Sequence, residues 1–412
     1  MSRPQPEQRP TLVTPQVLRG WRLPEPTGGK ESRGSILVVG GSTETVGAVL
    51  LAAEAALRSG AGKLQVVVPS KVAPHVSISL PEALVRGVPS TEEGAIQGSS
   101  VELFLDLAQR ASAVLVGPGM ADEPETRELV ERLLPELDGP VVLDALGLAA
   151  VTADPSCLHH LGGRAVLTPN PTELAIALHV DPDELAADPA GSARELAEQA
   201  QAVVGLGGAT SWVAAPDGQL WQDESGGAGL GVSGSGDVRA GVVAGLLARG
   251  ADPGQAAVWA SYLHGRAGER LAATVGRLGF LARELPPEIP RVLAEVDLLP
   301  RRPAGCPGDR RTRWDDGRRP GGRRVRGRAA APAGWARAAQ RPAAGGLRRR
   351  AGLGAAPRAV PARRGGDPPG RWCRGAAHVR GGRQRARRHA GPRPAAPGRA
   401  GPDGLPRRVG CR

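Results

Sequence analysis

Four residues, Gly234-Ser-Gly-Asp237, combine what chemistry on an anion requires. Glycines let the chain turn tightly, and apolar residues at helical spacing (Val238, Val242, Leu246, Leu247) follow them up to Gly250. A helix that starts at such a turn offers unpaired N–H groups and the positive end of its dipole. A carboxylate at the same point would repel a phosphate unless it acts on a neighbouring group. The pattern therefore predicts Asp237 as the base for a substrate hydroxyl. The amides of Gly234, Ser235 and Gly236 would stabilise the charge that develops on phosphoryl transfer. An aspartate that merely caps a helix after a loose loop is the structural alternative.

Other clusters have the same character. Gly40-Gly41-Ser42 and Gly47-Ala48 would let a flat ligand approach the backbone, which makes Gly41, Ser42, Gly47 and Ala48 candidate substrate contacts. Gly117-Pro-Gly119 is a short turn of similar kind, and Asp144 is either a ligand contact or a cap. Asn170-Pro-Thr-Glu173 places a glutamate in a first helical turn, where its charge suits the dipole. Capping is one reading. In the other, Asn170 contacts substrate and Glu173 holds a hydrated Mg²⁺ through water. His159-His160 beside Cys157 reads as surface.

These clusters recur at the ends of apolar runs. Residues 35–39, 63–68, 113–116, 140–143 and 161–167 read as strands, and 202–213 and 220–221 as strands flanking the turn at 216–218. Segments 46–59, 124–134, 171–178, 192–202, 253–272 and a proline-interrupted 280–296 read as helices. Strand and helix alternate about every thirty residues, which predicts an α/β fold with a parallel sheet, right-handed crossovers and ligands at the strands' carboxyl ends.

Composition divides the chain. Residues 299–412 hold 31 arginines, no lysine and five aspartates, a net of +26, so the rest carries −14 of the overall +12. The basic balance thus belongs to the tail alone, which argues against a nucleic-acid-binding domain. The tail lacks Ile, Met, Phe, Tyr, Asn, Ser, Glu and Lys and shows no periodicity, which predicts disorder. Its residue types are those of GC-rich codons, which favours a shifted reading frame over an arginine-rich arm. The expected organisation is a lead-in over 1–29, one domain over 30–297 and a low-complexity basic tail over 298–412. Cys157 stands alone in the domain, without the spacing of a zinc site or disulfide framework. No apolar run suits a bilayer, and the Pro-rich N-terminus lacks the apolar core of a signal peptide, so the expectation is a cytoplasmic protein without membrane contact.

Taken in order, Gly40-Gly-Ser42, Gly47-Ala48, Ala56-Leu-Arg-Ser-Gly-Ala-Gly62, Val116-Gly-Pro-Gly119, Leu143-Asp-Ala145, Leu167-Thr-Pro-Asn-Pro-Thr-Glu173 and Gly234-Ser-Gly-Asp237 resemble the ADP- or ATP-dependent NAD(P)H-hydrate dehydratases. The resemblance covers about 12–297. It implies a ribokinase-like three-layer fold, with a central mostly parallel sheet and helices on both faces. It implies an enzyme, a carbon–oxygen lyase of metabolite repair. ADP or ATP with Mg²⁺ would activate the ring hydroxyl of NADH or NADPH hydrate, and elimination would restore the dinucleotide. Ala48, Gly119, Asn170 and Asp237 match substrate positions and Gly236 a nucleotide position. The family's Lys-Gly nucleotide segment aligns with Gly207, Gly208, Ala209, Thr210 and Ser211, so Gly207 stands where a lysine is usual. Asn170 replaces a histidine, Thr172 a glycine, Ser235 a threonine, and Arg239 an apolar residue. An arginine there is a candidate to supply the missing charge. The partners implied are the hydrate and an adenine nucleotide, and self-association stays open. Two alternatives stay beside this reading: a small-molecule kinase of the same superfamily, which the Asn-x-x-Glu spacing of Asn170 and Glu173 suits, and a non-catalytic nucleotide-binding relative.

Overall fold

Short runs of β-branched residues and leucine make the central strands, which are apolar on both faces because both faces are covered. In the computed structural model, which describes residues 9–25 and 27–298, ten strands form one sheet. They are β1 (Thr11–Leu12), β2 (Ser35–Val39), β3 (Lys63–Pro69), β4 (Ala83–Val88), β5 (Ala113–Val116), β6 (Val141–Leu143), β7 (Ala165–Leu167), β8 (Val203–Leu206), β9 (Ser211–Ala214) and β10 (Leu220–Asp223). Their spatial order is β1-β10-β9-β8-β7-β6-β5-β2-β3-β4. All neighbours pair in parallel except β9, which runs against β8 and β10. The basic tail lies outside the described residues but for Leu298, the last residue of a helix.

The described helices are α1 (Pro15–Gly20), α2 (Val46–Arg58), α3 (Ala73–Ser79), α4 (Leu105–Arg110), α5 (Glu123–Leu133), α6 (Ala149–Ala153), α7 (Pro171–Leu178), α8 (Pro182–Ala187), α9 (Pro189–Ala200), α10 (Ser235–Ala248), α11 (Pro253–Thr274) and α12 (Ile289–Leu298). Strand alternation assigns them to two layers. Ile36, Val38, Leu115, Val142 and Val166 pack with α2, α10, α11 and α12. Leu37, Val39, Val116, Leu143 and Leu167 pack with α4, α5, α6, α7 and α9. This is the expected three-layer arrangement. Helix α10 lies deepest: Gly241 and Gly245 bring its backbone onto Ala52 and Ala56 of α2, where a Cβ would sit 2.1 and 2.4 Å from their carbonyl oxygens.

Several boundaries differ from the sequence expectation, each for a local reason. The run at 161–167 is strand only from Ala165, because Gly162 and Gly163 turn with φ +55° and +82° after a 3₁₀ segment. The run at 202–213 is two antiparallel strands, broken at Gly207-Gly208. The stretch at 280–296 is helical from Ile289, after two 3₁₀ turns held by Pro286-Pro287. The N-terminal stretch is built into the sheet. Strand β1 extends its edge beside β10, Trp21 stacks on Trp221 at 5.6 Å, and the Gln255 and Trp259 side chains donate to the Trp21 carbonyl. The sequence signalled neither β1 nor β4, since the first is two residues long and the second carries Arg86 and Gly87.

Candidate functional site

The chain reverses direction in the sheet at β2, whose neighbours β3 and β5 lie on opposite sides, so a crevice opens at the carboxyl ends of β2 and β5. The two turns there are fitted to each other. Gly41 (φ +78°) donates its N–H to the Pro118 carbonyl at 2.8 Å, and a Cβ at Gly40 would lie 2.3 Å from the same oxygen. Gly119 (φ +68°) leaves a Cβ no room beside the Thr45 carbonyl at 2.4 Å or the Ala48 methyl at 2.9 Å. Thr45 donates its hydroxyl to the Gly119 carbonyl at 2.6 Å. Its single proton is thereby spent, so Ser42, 2.7 Å away, donates to Thr45. Ser42 also accepts the N–H groups of Glu44 and Thr45. Ser42 is thus buried, with its hydroxyl bonded within the loop. Gly47 behaves differently, for it is exposed and a Cβ there would meet no protein atom within 4 Å.

At the next strand ends the site changes from backbone to charge. Asp144, at the end of β6, is 5% exposed and accepts the Thr168 hydroxyl at 2.6 Å. Burial drives its carboxyl up to about 7, helped by the negative charges of Asp237 and Glu173 and opposed by the Thr168 bond and Arg239. Asn170 and Glu173 form a reciprocal capping box at the start of α7: the Glu173 N–H reaches Asn170 Oδ1 and the Asn170 N–H reaches Glu173 Oε2, both at 2.9 Å. Asn170 is exposed, with its NH₂ group the part outside this box.

Helix α10 starts at Gly234, which has φ +90°; a Cβ there would come 2.5 Å from Leu51. No side chain caps this helix. The Ser235 N–H is spent on the Val232 carbonyl at 3.1 Å, so of the three amides expected to hold an anion those of Gly234 and Gly236 remain. Gly236 is exposed with open space where a Cβ would go. Asp237, half-buried in the same turn, is not the cap. Burial, then the Glu173 carboxylate, push it up to about 6. The Ser235 hydroxyl is 2.8 Å from His264 Nε2 of α11. Burial, with repulsion from Arg239, lowers the imidazole to about 3, so it is neutral at physiological pH. The turn 207–210 between β8 and β9 joins the same site, because the Gly207 N–H donates to the Pro169 carbonyl at 3.0 Å.

The described arrangement matches a family. The sequence profile of the NAD(P)H-hydrate dehydratase family matches residues 36–291. The chain belongs to that family. It is 45% identical over 294 residues to an ADP-dependent (S)-NAD(P)H-hydrate dehydratase of Xanthomonas campestris, covering 71% of this chain and 98% of that one. A bifunctional NAD(P)H-hydrate repair enzyme of Moorella thermoacetica is 36% identical, and this chain spans about half of it (66% and 52% covered). Among solved structures, the Bacillus subtilis ADP/ATP-dependent NAD(P)H-hydrate dehydratase co-crystallised with ATP and Mg²⁺ superposes with TM-score 0.58 at 29% identity, over 69% of this chain and 98% of that one. A ribokinase-like superfamily protein of Enterococcus faecalis superposes with TM-score 0.60 at 20% identity (69% and 96% covered), which shows the fold.

The structure thus gathers Gly41, Gly47, Ala48 and Gly119 on one side of the site, and Asn170, Glu173, Gly207, Gly234 and Asp237 on the other. Thr168 and His264 are additional members. In the sequence Thr168 is a strand-end residue and His264 one residue of a long helix; no spacing marks either. The pair His159 and His160 is exposed, as expected, each ring bonded to a main-chain carbonyl.

Proposed function

We propose that the chain restores hydrated NADH or NADPH with ADP as the phosphoryl donor. The hydrate would lie along Gly41, Gly47, Ala48 and Gly119, with the Asn170 amide toward its nicotinamide end. The nucleotide would lie along residues 207–211 and the turn 234–236. Asp237 takes the proton of the ring hydroxyl as that oxygen bonds to the terminal phosphorus of ADP, and AMP leaves. Loss of phosphate from the ring with its neighbouring proton then re-forms the double bond. The amides of Gly234 and Gly236 meet the charge on the transferring group, and neutral His264 orients the Ser235 hydroxyl at the same turn.

The fit for Mg²⁺ rests on charge. Among the described residues no cluster of three or more His, Cys, Asp or Glu could cage a metal. Yet the Glu173 and Asp237 carboxylates repel each other, and Mg²⁺ characteristically keeps its waters and binds through nucleotide phosphates with one or two carboxylates. Glu173, with Asp237 beside it, would hold the ion through water, and the ion would neutralise phosphate charge.

One observation carries this reading. Asp237 sits half-buried in the first turn of a helix whose cap is a bare glycine, with a carboxyl raised to about 6, the range of a working base. The test is recovery of the reduced-nicotinamide absorbance from NADH hydrate by the full chain with ADP and Mg²⁺. Recovery by wild type that is lost in Asp237→Asn supports the assignment. Recovery equal in both would remove Asp237 from the chemistry, and a stable phosphorylated product would favour a kinase.

A further inference from the structure

The geometry points to Arg239 as the residue that receives the terminal phosphate of a nucleoside diphosphate, reaching it across space that only a glycine at position 207 leaves free. The inference rests on the dehydratase reading above and assigns its nucleotide subsite.

Arg239 lies two residues after Asp237 in the first turns of α10 and is 9% exposed. Among the described residues no carboxylate forms an ion pair with it. Its Nη2 donates to the carbonyls of Thr168 (3.0 Å) and Pro169 (3.2 Å), which are dipoles and leave the charge uncancelled. Its Nε is buried and without a partner. Asp144 and Glu173 favour the charged form from a distance, against the larger effect of burial. A guanidinium stays charged in proteins, and an uncompensated buried cation is costly, so the arrangement makes sense with an anion at hand.

Gly207 is where the guanidinium lies against the main chain. A Cβ at this position would lie 2.1 Å from Arg239 Nη1 and 2.7 Å from Cζ, so any side chain there would displace the guanidinium. The same Pro169 carbonyl accepts both the Gly207 N–H and Arg239 Nη2, which locks the 207–210 turn to the guanidinium. The cation therefore lies against the 207–210 turn, on the helix that begins just after Gly234. A planar guanidinium can offer two parallel N–H donors to a phosphate, and Nη1, on the Gly207 side, is free of the carbonyls that hold Nη2.

A purely structural Arg239 would serve only to balance Asp144 and Glu173. Calorimetric titration of the full chain with ADP and with AMP separates the two roles. Arg239→Met should weaken ADP roughly 10- to 100-fold and AMP far less, as expected for a lost charged hydrogen bond to the terminal phosphate. Gly207→Ala, which keeps the charge but pushes the guanidinium aside, should weaken ADP in the same direction. The double variant Gly207→Lys with Arg239→Ala should regain most of the loss by returning a cation from the other element. Should Arg239→Met fail to fold, Gly207→Ala and the double variant decide. An unchanged preference for ADP over AMP in the folded variants would overturn the assignment alone. A wild-type chain that bound no ADP would overturn it together with the dehydratase reading.

Discussion

The two sides of the site are built from different materials. On the β2/β5 side, backbone does the shaping: Gly41, Gly117 and Gly119 have positive φ, and each turn seats on the main chain of the next. On the β6/β7/β8 side, desolvated charge does it: Asp144, Arg239 and His264 are each displaced from their ordinary titration by burial, and Asp237 is pushed up beside them. A surface made of backbone suits a large flat ligand held by shape. A pocket of desolvated titratable groups suits a step in which a proton and a phosphoryl group move. Damage on the first side should therefore appear in folding or in KM for the hydrate, and damage on the second in kcat, in ADP affinity and in pH dependence.

The comparison can be broken most directly at Asp237. Asp237→Asn is expected to lower kcat by about 10²- to 10⁴-fold, the usual worth of a positioned base, with ADP binding retained. A loss confined to KM would erase the distinction between the sides. Next in size is Gly119→Ala. The left-handed φ and the Thr45 carbonyl 2.4 Å from the new Cβ predict destabilisation of about 2–4 kcal/mol, read as a lower Tm.

Asp144→Asn should act through pH. A carboxyl raised to about 7 favours the folded state fully only below its unfolded value, and that contribution is lost as pH rises through about 7. The variant, which cannot ionise, should gain on wild type by a few kcal/mol at most at pH 8, and the gap should close below pH 4. Melting curves at the two pH values check this. The smallest effect is expected at Gly47→Ala, in the first turn of α2, where the new methyl meets no protein atom. Stability should hold or rise by up to about 1 kcal/mol, while KM for the hydrate rises several-fold because the methyl enters ligand space.

Legibility in the sequence followed the same division. The strand–helix alternation and the glycine turns are local patterns, so the α/β fold with its parallel sheet and the positions of Gly41, Gly119 and Gly234 could be read from spacing, while the three-layer form followed from the family resemblance. Asn170 and Glu173 were legible too, as a capping box that the structure contains. The charged side was only partly so. Asp237 stood out by its place after the glycines, whereas the burial of Asp144, the Thr168 hydroxyl and the neutral His264 depend on contacts between residues far apart in the chain. The hydrogen bonds that tie Ser42 to Thr45 and Thr45 to Gly119 also link loops that no spacing connects. The fitting of Arg239 against Gly207 likewise joins two elements that no periodicity connects.

The most direct test of the account is the pH dependence of kcat/KM for NADH hydrate with saturating ADP and Mg²⁺, in wild type and in Asp237→Asn. Asp237 must be ionised to take the hydroxyl proton, and burial with the Glu173 carboxylate opposes that ionisation. Wild type should therefore lose activity tenfold per unit as pH falls through the raised pKa of Asp237, and the residual activity of the variant should lack that limb. A flat wild-type profile from pH 8 to pH 4.5, or the same limb in both proteins, would contradict the assignment of Asp237 as the base.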